Sequence, residues 1–175
     1  MSFPARYWLA AISLMSAACV RTPDHYPVPE QHFPLRAQTS ATAEFIAMGD
    51  AAALQAIVRD VNKGEQGAWR WTGADPELRF TLASPTNRTL IVEFAIHDRT
   101  FRETGPVTIS FYVNGKLAGQ EHYTTHGDKS FEKLIPAEWL LAQRETRVRL
   151  VIDKPWTSPD GETLGVLLKR IGFVE

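Results

Sequence analysis

The sequence has a single cysteine, Cys19, among its 175 residues. One cysteine cannot form an internal disulfide, and it excludes metal sites built from several thiolates. Lysine and arginine, 19 residues in all, are scattered along the chain and balanced by 20 aspartates and glutamates, which leaves a formal net charge of −1. A nucleic-acid-binding domain usually carries a basic patch as its electrostatic footprint. We therefore expect no nucleic-acid partner.

Catalytic signatures are also missing. The sequence contains no Gly-x-Ser-x-Gly motif, no glycine-rich phosphate loop and no His-Glu-x-x-His motif. His122 and His126 are four residues apart, but in a strand this spacing separates them by about 13 Å, which is too far for one ion. Paired carboxylates could hydrolyse a glycosidic bond, so a polysaccharide hydrolase is one alternative. The main expectation is a non-enzymatic protein without a cofactor or a metal.

The first 18 residues have the pattern of a signal peptide. Arg6 supplies a positive charge, residues 7–15 are mostly apolar, and the small residues 16–18 precede Cys19. The apolar run is too short to span a bilayer as a helix.

The position of Cys19 directly after small residues resembles the lipobox of bacterial lipoproteins, in which the cysteine is lipidated and becomes the mature N-terminus. Ser16 stands where that pattern usually has leucine, so an ordinary secretory signal with an incidental thiol is the alternative. In bacterial lipoproteins, an aspartate directly after the lipidated cysteine resembles a signal for retention in the inner membrane. This chain has Val20 at that position. We expect a lipid-anchored protein of the cell envelope, held at the outer membrane and facing the periplasm or the cell surface.

Residues 19–43 are predicted to form a tether behind the lipidated cysteine. Prolines recur there among polar residues, which disfavours a helix and favours an extended spacer. These prolines are Pro23, Pro27, Pro29 and Pro34. The folded domain is then residues 44–175.

That domain has the two-residue hydrophobic period of β-strands. Residues 90–97, 107–113 and 147–153 alternate apolar and polar side chains. Between them, Asn114-Gly115 predicts a two-residue type I′ hairpin, because both residues tolerate positive φ. Short strands with turn signals and no βαβ alternation predict an all-β fold, an antiparallel β-sandwich with at most one or two short helices.

Further strands are expected near residues 77–82, 129–135 and 164–174. Residues 136–141 are expected to form a short helical turn with proline at its first position. Residues 51–61 are ambiguous between helix and strand, and we favour a strand over 54–61.

Several short motifs follow one another along the chain in a characteristic order. An acidic residue and glycine (Glu65, Gly67) precede the Trp69–Gly73 turn, and the chain closes with Pro155-Trp156 and a Leu-Gly pair near residue 165. This order resembles bacterial jelly-roll domains of the galactose-binding-like and carbohydrate-binding-module type, which are associated with glycosyltransferases and cell-envelope proteins. The resemblance implies a jelly-roll sandwich and sugar binding. Glu162 stands where such domains tend to have arginine, so an ion pair built on that arginine is in doubt.

The tryptophans are the best candidates for a binding site. Trp69 and Trp71 are two residues apart, so in a strand they share a face, and Arg70 between them points to the opposite face. Indole rings stack on the C–H surface of sugars, while arginine and glutamate bond hydroxyls. The alternative for each tryptophan is a place in the core, which we favour for Trp71. The candidate ligand-binding residues are Trp69, Trp156, Arg70 and Glu65.

Taken together, these features predict a non-enzymatic envelope lipoprotein whose β-sandwich binds a glycan or a glycan-assembly partner. The alternative is an accessory or scaffold lipoprotein that contacts another envelope protein and has no carbohydrate site. The oligomeric state is open.

Overall fold

The structure is a computed structural model that describes residues 44–64, 67–142 and 144–175. The described residues form eleven strands, two short α-helices and one 3-10 helix. The strands are β1 (Phe45–Ala47), β2 (Ile57–Val61), β3 (Arg70–Thr81), β4 (Arg88–Ile96), β5 (Val107–Val113), β6 (Lys116–Tyr123), β7 (Gly127–Ile135), β8 (Glu145–Ile152), β9 (Trp156–Thr157), β10 (Thr163–Leu164) and β11 (Leu167–Val174). The helices are α1 (Ala53–Ala56), α2 (Asp98–Thr104) and the 3-10 helix Ala137–Trp139.

The long strands form two antiparallel sheets. In the front sheet, β7, β4 and β11 lie side by side, and β1 and the start of β3 pair with the other edge of β11. In the back sheet the order is β2, β3, β8, β5 and β6. Strand β3 is 12 residues long and pairs with both sheets, so it joins them. The fold is therefore an all-β antiparallel sandwich of the jelly-roll type, as the sequence predicts.

The core lies between the two sheets, and the alternating side chains predicted to point inward are buried. The inward-pointing apolar residues of the three alternating runs, all buried, are Leu90, Val92, Phe94, Ile96, Val107, Ile109, Phe111, Val113, Val148, Leu150 and Ile152. The ring of Phe111 on the back sheet stacks on that of Phe131 on the front sheet, with centroids 3.8 Å apart and planes inclined by 5°. The predicted hairpin is confirmed, since Asn114 and Gly115 have φ of 48° and 80° between β5 and β6.

The favoured strand over residues 54–61 is wrong in its first half. Helix α1 occupies Ala53–Ala56, and the strand begins at Ile57. Ala53 and Ala56 are both buried, because their spacing of three places them on one side of a helical turn. A strand would have turned one of these two small side chains outward.

Helix α2 is absent from the predicted elements. It begins after His97, whose ring Nδ1 accepts a hydrogen bond from the Arg99 amide, and it ends at Gly105 with φ of 72°. No helix of the described residues is long and apolar enough to cross a membrane.

The outer face of the back sheet carries ion pairs that connect its strands, here called the back lattice. Arg59 on β2 binds Asp75 and Glu77 on β3 at 2.7 and 2.9 Å. From the other side, Arg149 on β8 donates two hydrogen bonds to Asp75, at 2.5 and 3.0 Å, and Arg147 reaches Glu77 at 3.4 Å. The carboxylates of β3 are thus shared between arginines of both neighbouring strands.

Candidate ligand-binding face

Three aromatic side chains form a row on the outer face of the front sheet. The centroids of Trp69 and Trp71 are 6.3 Å apart with the rings nearly perpendicular, and those of Trp71 and His97 are 5.6 Å apart. Both indoles are half-buried, and the imidazole is exposed. We call these three residues the aromatic row.

The pairing of β3 with β11 explains why the row faces outward. Trp71 is the register partner of Leu167, and Leu167 in turn pairs with Ala95 on β4. Directly opposed residues on neighbouring strands point to the same face. Phe94 and Ile96, the neighbours of Ala95, point into the core, so Ala95 and Trp71 point away from it.

A cleft of about 360 Å³ opens beside Trp71, here called the end cleft. Its polar side chains come from the end of β2 (Asp60 and Asn62) and from the segment at β10 (Glu162 and Thr163). The described residues that line it include no lysine or arginine.

Close backbone approach builds the walls of the end cleft. Thr72 is buried; its carbonyl accepts a hydrogen bond from the Gly165 amide at 2.7 Å, and its hydroxyl accepts one from Val166 at 3.0 Å. Asp60 has φ of 56°, and its Oδ2 accepts a hydrogen bond from the Asp75 amide at 2.6 Å. A Cβ atom at Gly73 would overlap the Asp60 carboxylate, so a larger residue here would displace that side chain.

Arg70 lies behind the aromatic row. Only 6% of its surface is exposed, and its guanidinium donates to the carbonyls of Met48 at 2.9 Å, Gly64 at 2.5 Å and Asn62 at 3.3 Å. These bonds hold three chain segments together and give Arg70 a positioning role. Contact of Arg70 with a ligand stays a prediction.

Trp156 lies beyond the end cleft. It pairs with Leu164, which lines the cleft. The indole Nε1 donates to Glu103 at 2.5 Å, and the guanidinium carbon of Arg99 lies 4.9 Å from the ring centroid. Both partners come from α2, so Trp156 is engaged by protein groups on its face and at its edge.

Two of the predicted site residues, Cys19 and Glu65, lie outside the described residues. The sequence did not point to His97 or Asp60, and it placed Trp71 in the core. His97 follows the outward-facing positions of β4, so the alternation of residues 90–97 could have placed it on this face. Asp60 had no such signal, because its side chain reaches the cleft through a bulge in β2. Among the described residues, no group of three or more histidine, cysteine, aspartate or glutamate side chains could hold a metal ion.

No family model matches the chain, and no curated protein matches it. Similar solved structures include a family 35 carbohydrate-binding module in complex with a glucuronic acid containing disaccharide, at 17% identity and a TM-score of 0.43, covering 76% of this chain and 94% of that one. A family 35 module from an environmental isolate has 16% identity and a TM-score of 0.40, covering 64% of this chain and 71% of that one. A third, from Clostridium thermocellum, has 12% identity and a TM-score of 0.37, covering 75% and 88%.

These three structures belong to the class of modules that the sequence resembles. The ligand of this domain has to be inferred from its own residues.

Proposed function

We propose that the domain is a non-catalytic module that binds a glycan at the aromatic row. The observation that carries the proposal is the row itself, in which Trp69, Trp71 and His97 follow one another on an outward sheet face beside a cleft lined by polar side chains. A sugar ring offers an apolar C–H face for stacking and hydroxyls for hydrogen bonds. Half-buried aromatic rings next to carboxylate, amide and hydroxyl groups match both halves of such a ligand.

The end cleft does not favour hydrolysis. Glycoside hydrolysis needs two carboxyl groups that face the scissile bond. Oδ2 of Asp60 is already engaged by the Asp75 amide at 2.6 Å, and Glu162 is exposed. A binding role therefore fits these side chains better than a polysaccharide hydrolase.

A glycan array with the purified protein tests the proposal, using the variants Trp71→Ala and Trp139→Ala. Trp139 is a matched control: it follows β7 at the end where Ile135 pairs with Arg88, whereas Trp71 lies at the other end of the front sheet, near Ala95. Wild-type protein and Trp139→Ala should bind the same glycans, and Trp71→Ala should lose them. Equal binding by the wild type and Trp71→Ala, or no binding by the wild type, would reject the site.

We further propose, from the sequence, that the module is displayed in the cell envelope by a lipid on Cys19. Several acyl chains, each contributing about 0.8 kcal/mol per buried CH₂, would hold the protein on a membrane. The variant Cys19→Ser should move from the detergent-extracted membrane fraction to the soluble fraction. An unmodified Cys19 in the mass spectrum of the wild-type protein would contradict the anchor.

A scaffold role is the second candidate, and one observation favours it. Leu134 on β7 and Leu117 on β6 are 61% and 52% exposed. Both strands are edge strands, each with a pairing partner on one side among the described residues. Exposed leucines on edge strands are suited to contact with another protein. If the array finds no glycan, this candidate takes the place of the first.

A further inference from the structure

The aromatic row continues into a floor that crosses the whole front sheet. Trp71 on β3, Leu167 on β11, Ala95 on β4 and Asp128 on β7 are successive register partners. Their side chains therefore point to one face and follow a line perpendicular to the strands. Three strand spacings separate the ends of this line, which makes it about 14 Å long.

A second line runs beside the first. Ala47, Arg170, Glu93 and Ser130 are register partners on β1, β11, β4 and β7. Two clefts, of about 560 and 320 Å³, lie over the second line and reach Asp128 of the first, and both are lined by Glu93 and Lys169. Because they share these residues, the clefts form one groove, here called the front groove.

A bulge in β11 supplies the hydrogen-bonding groups of the front groove. The register shifts between Leu168 and Arg170, so Lys169 is the extra residue and both consecutive cations line the groove. Arg170 donates two hydrogen bonds to Glu93, at 2.6 and 2.5 Å, and Lys169 donates to Asp128 at 2.7 Å. Between these pairs and the aromatic row lie two apolar residues of the first line, Leu167, which is half-buried, and Ala95, which is 9% exposed.

The charges indicate what such a groove accepts. Among the described residues that line it, three are anionic (Asp50, Glu93 and Asp128) and three are cationic (Lys129, Lys169 and Arg170). Lys129 pairs with the inward-pointing Phe94, so these described residues give the groove no excess of positive charge. The end cleft on the other side of Trp71 adds two carboxylates and no lysine or arginine among its described lining residues. A polyanionic chain would meet uncompensated negative charge there, whereas hydroxyl groups can bond to paired cations and carboxylates alike.

We propose that the ligand is an uncharged polysaccharide segment of several sugar units, which lies across the front sheet from the aromatic row to β7. The inference rests on the proposed function and adds the class and length of its ligand. The aromatic row stacks on one sugar unit, and the front groove contacts the units that follow it. A chain bound along its length makes more contacts than a single terminal sugar, so affinity rises with length.

Affinity gel electrophoresis of the purified protein gives the first test. The neutral probes are β-glucan, mannan and arabinoxylan, and the acidic probes are polygalacturonate and alginate. At least one neutral polymer should retard the protein, and both acidic polymers should leave its mobility unchanged. Stronger retardation by an acidic polymer than by any neutral one overturns the inference.

Calorimetry with oligosaccharides of the retarding polymer, from one to six units, gives the second test. Affinity should rise at least about tenfold between the shortest and the longest that bind, which corresponds to one or two added hydrogen bonds to charged groups. Lys169→Ala should weaken the hexasaccharide by about tenfold and leave the shortest bound sugar unchanged. Lys133→Ala is the matched control, because Lys133 pairs with the buried Leu90 and lies outside both lines.

The outcomes separate the two proposals. Affinity that is independent of length, or an unchanged hexasaccharide affinity in Lys169→Ala, overturns the extended ligand and leaves glycan binding at the aromatic row intact. Absence of binding to every probe overturns both.

Discussion

The two outer faces of the sandwich are built from different chemistry. On the back sheet, Asp75 and Glu77 are bridged by arginines from the strands on either side. On the front sheet, Trp69 and Trp71 stand half-buried in contact with each other, and Trp71 also contacts an exposed imidazole. The back face is covered by ion pairs, whereas the front face carries aromatic rings and a groove beside its own ion pairs. A difference of this kind between faces of one domain is typical of a surface kept for a ligand.

The pKa of Asp75 reflects its ion pairs with the arginines of the back lattice. Burial raises the pKa of this carboxyl, but hydrogen bonds and charge attraction from Arg149 and Arg59 outweigh burial and hold the pKa below its usual value. The same carboxylate raises the pKa of the Arg149 guanidinium. Both shifts favour the charged forms, so the pair is satisfied within the face.

The largest effect should come from the core that supports both faces. Phe111→Ala removes the ring that stacks on Phe131 and should destabilise the domain by about 3 to 5 kcal/mol. Denaturant unfolding of wild type and variant measures this loss. A loss well below 2 kcal/mol would show that the two sheets do not depend on this contact. The measured loss gives a reference value with which the stability losses of the surface variants are compared.

The next effect separates the faces. Trp69→Ala should weaken glycan binding more than about tenfold, a loss of roughly 1.4 kcal/mol. Its cost in stability should be about 0.5 to 1.5 kcal/mol, the value of an edge-to-face aromatic pair. Titration calorimetry and thermal unfolding of the same variant give the two numbers. A cost in stability of 3 kcal/mol or more, with binding retained, would place Trp69 in the core instead.

Arg149→Ala tests the back face in the opposite sense. It should leave glycan binding unchanged and lower stability by no more than about 1 kcal/mol, because the side chain is partly exposed and solvent screens its charge. Lys154→Ala, which removes a cation outside the lattice, is the control. Loss of binding in Arg149→Ala would mean that the ligand occupies the back face.

Lowering the pH should remove the contribution of the ionised Asp75 carboxylate to the stability of the domain. Its carboxyl holds a proton less tightly in the fold than in the unfolded chain, where aspartate titrates near ~3.9. The stabilisation is therefore complete above about pH 4 and is lost as the pH falls through the lower folded-state value. Asp75→Asn should melt below the wild type at pH 7, and the gap between the two melting temperatures should narrow as the pH falls below about 4. A gap that does not change between pH 7 and the most acidic pH at which both proteins fold would exclude the ion pairs as its cause.

The smallest effect should come from salt. At 1 M salt the Debye length falls to about 3 Å, so the lattice should weaken by a few tenths of a kcal/mol. Binding of an uncharged sugar at the aromatic row should stay the same. Melting temperature and glycan affinity, measured at about 0.1 and 1 M sodium chloride, compare the faces directly. A strong fall of affinity with salt would point to a charged ligand.

The sequence predicts much of the fold because the signals are local. The alternation around Phe94 and Phe111 and the Asn114-Gly115 turn each depend on a few neighbouring residues. The candidate site depends on pairings that are distant in sequence. Trp71 points outward because it pairs with Leu167 on β11, and the groove depends on the bulge at Lys169. Neither the pairing nor the bulge produces a short-range pattern in the sequence. Helix α2 was missed for a related reason, since it follows from the cap at His97 rather than from hydrophobic periodicity.

Strand β3 has a consequence for the way the domain opens. Its first residues carry Trp71 on the front sheet, its middle residues Asp75 and Glu77 belong to the back lattice, and its last residues pair with β8 of the back sheet. A local opening that frees one end has to loosen the backbone of the other, so the two faces share a single cooperative unit. Amide protons of residues 71–72 and 78–80 should then exchange with deuterium at similar free energies of opening. A variant that weakens the back lattice should therefore increase the fraction of molecules in which the front face is open. The geometry of the site in the closed molecules should stay unchanged.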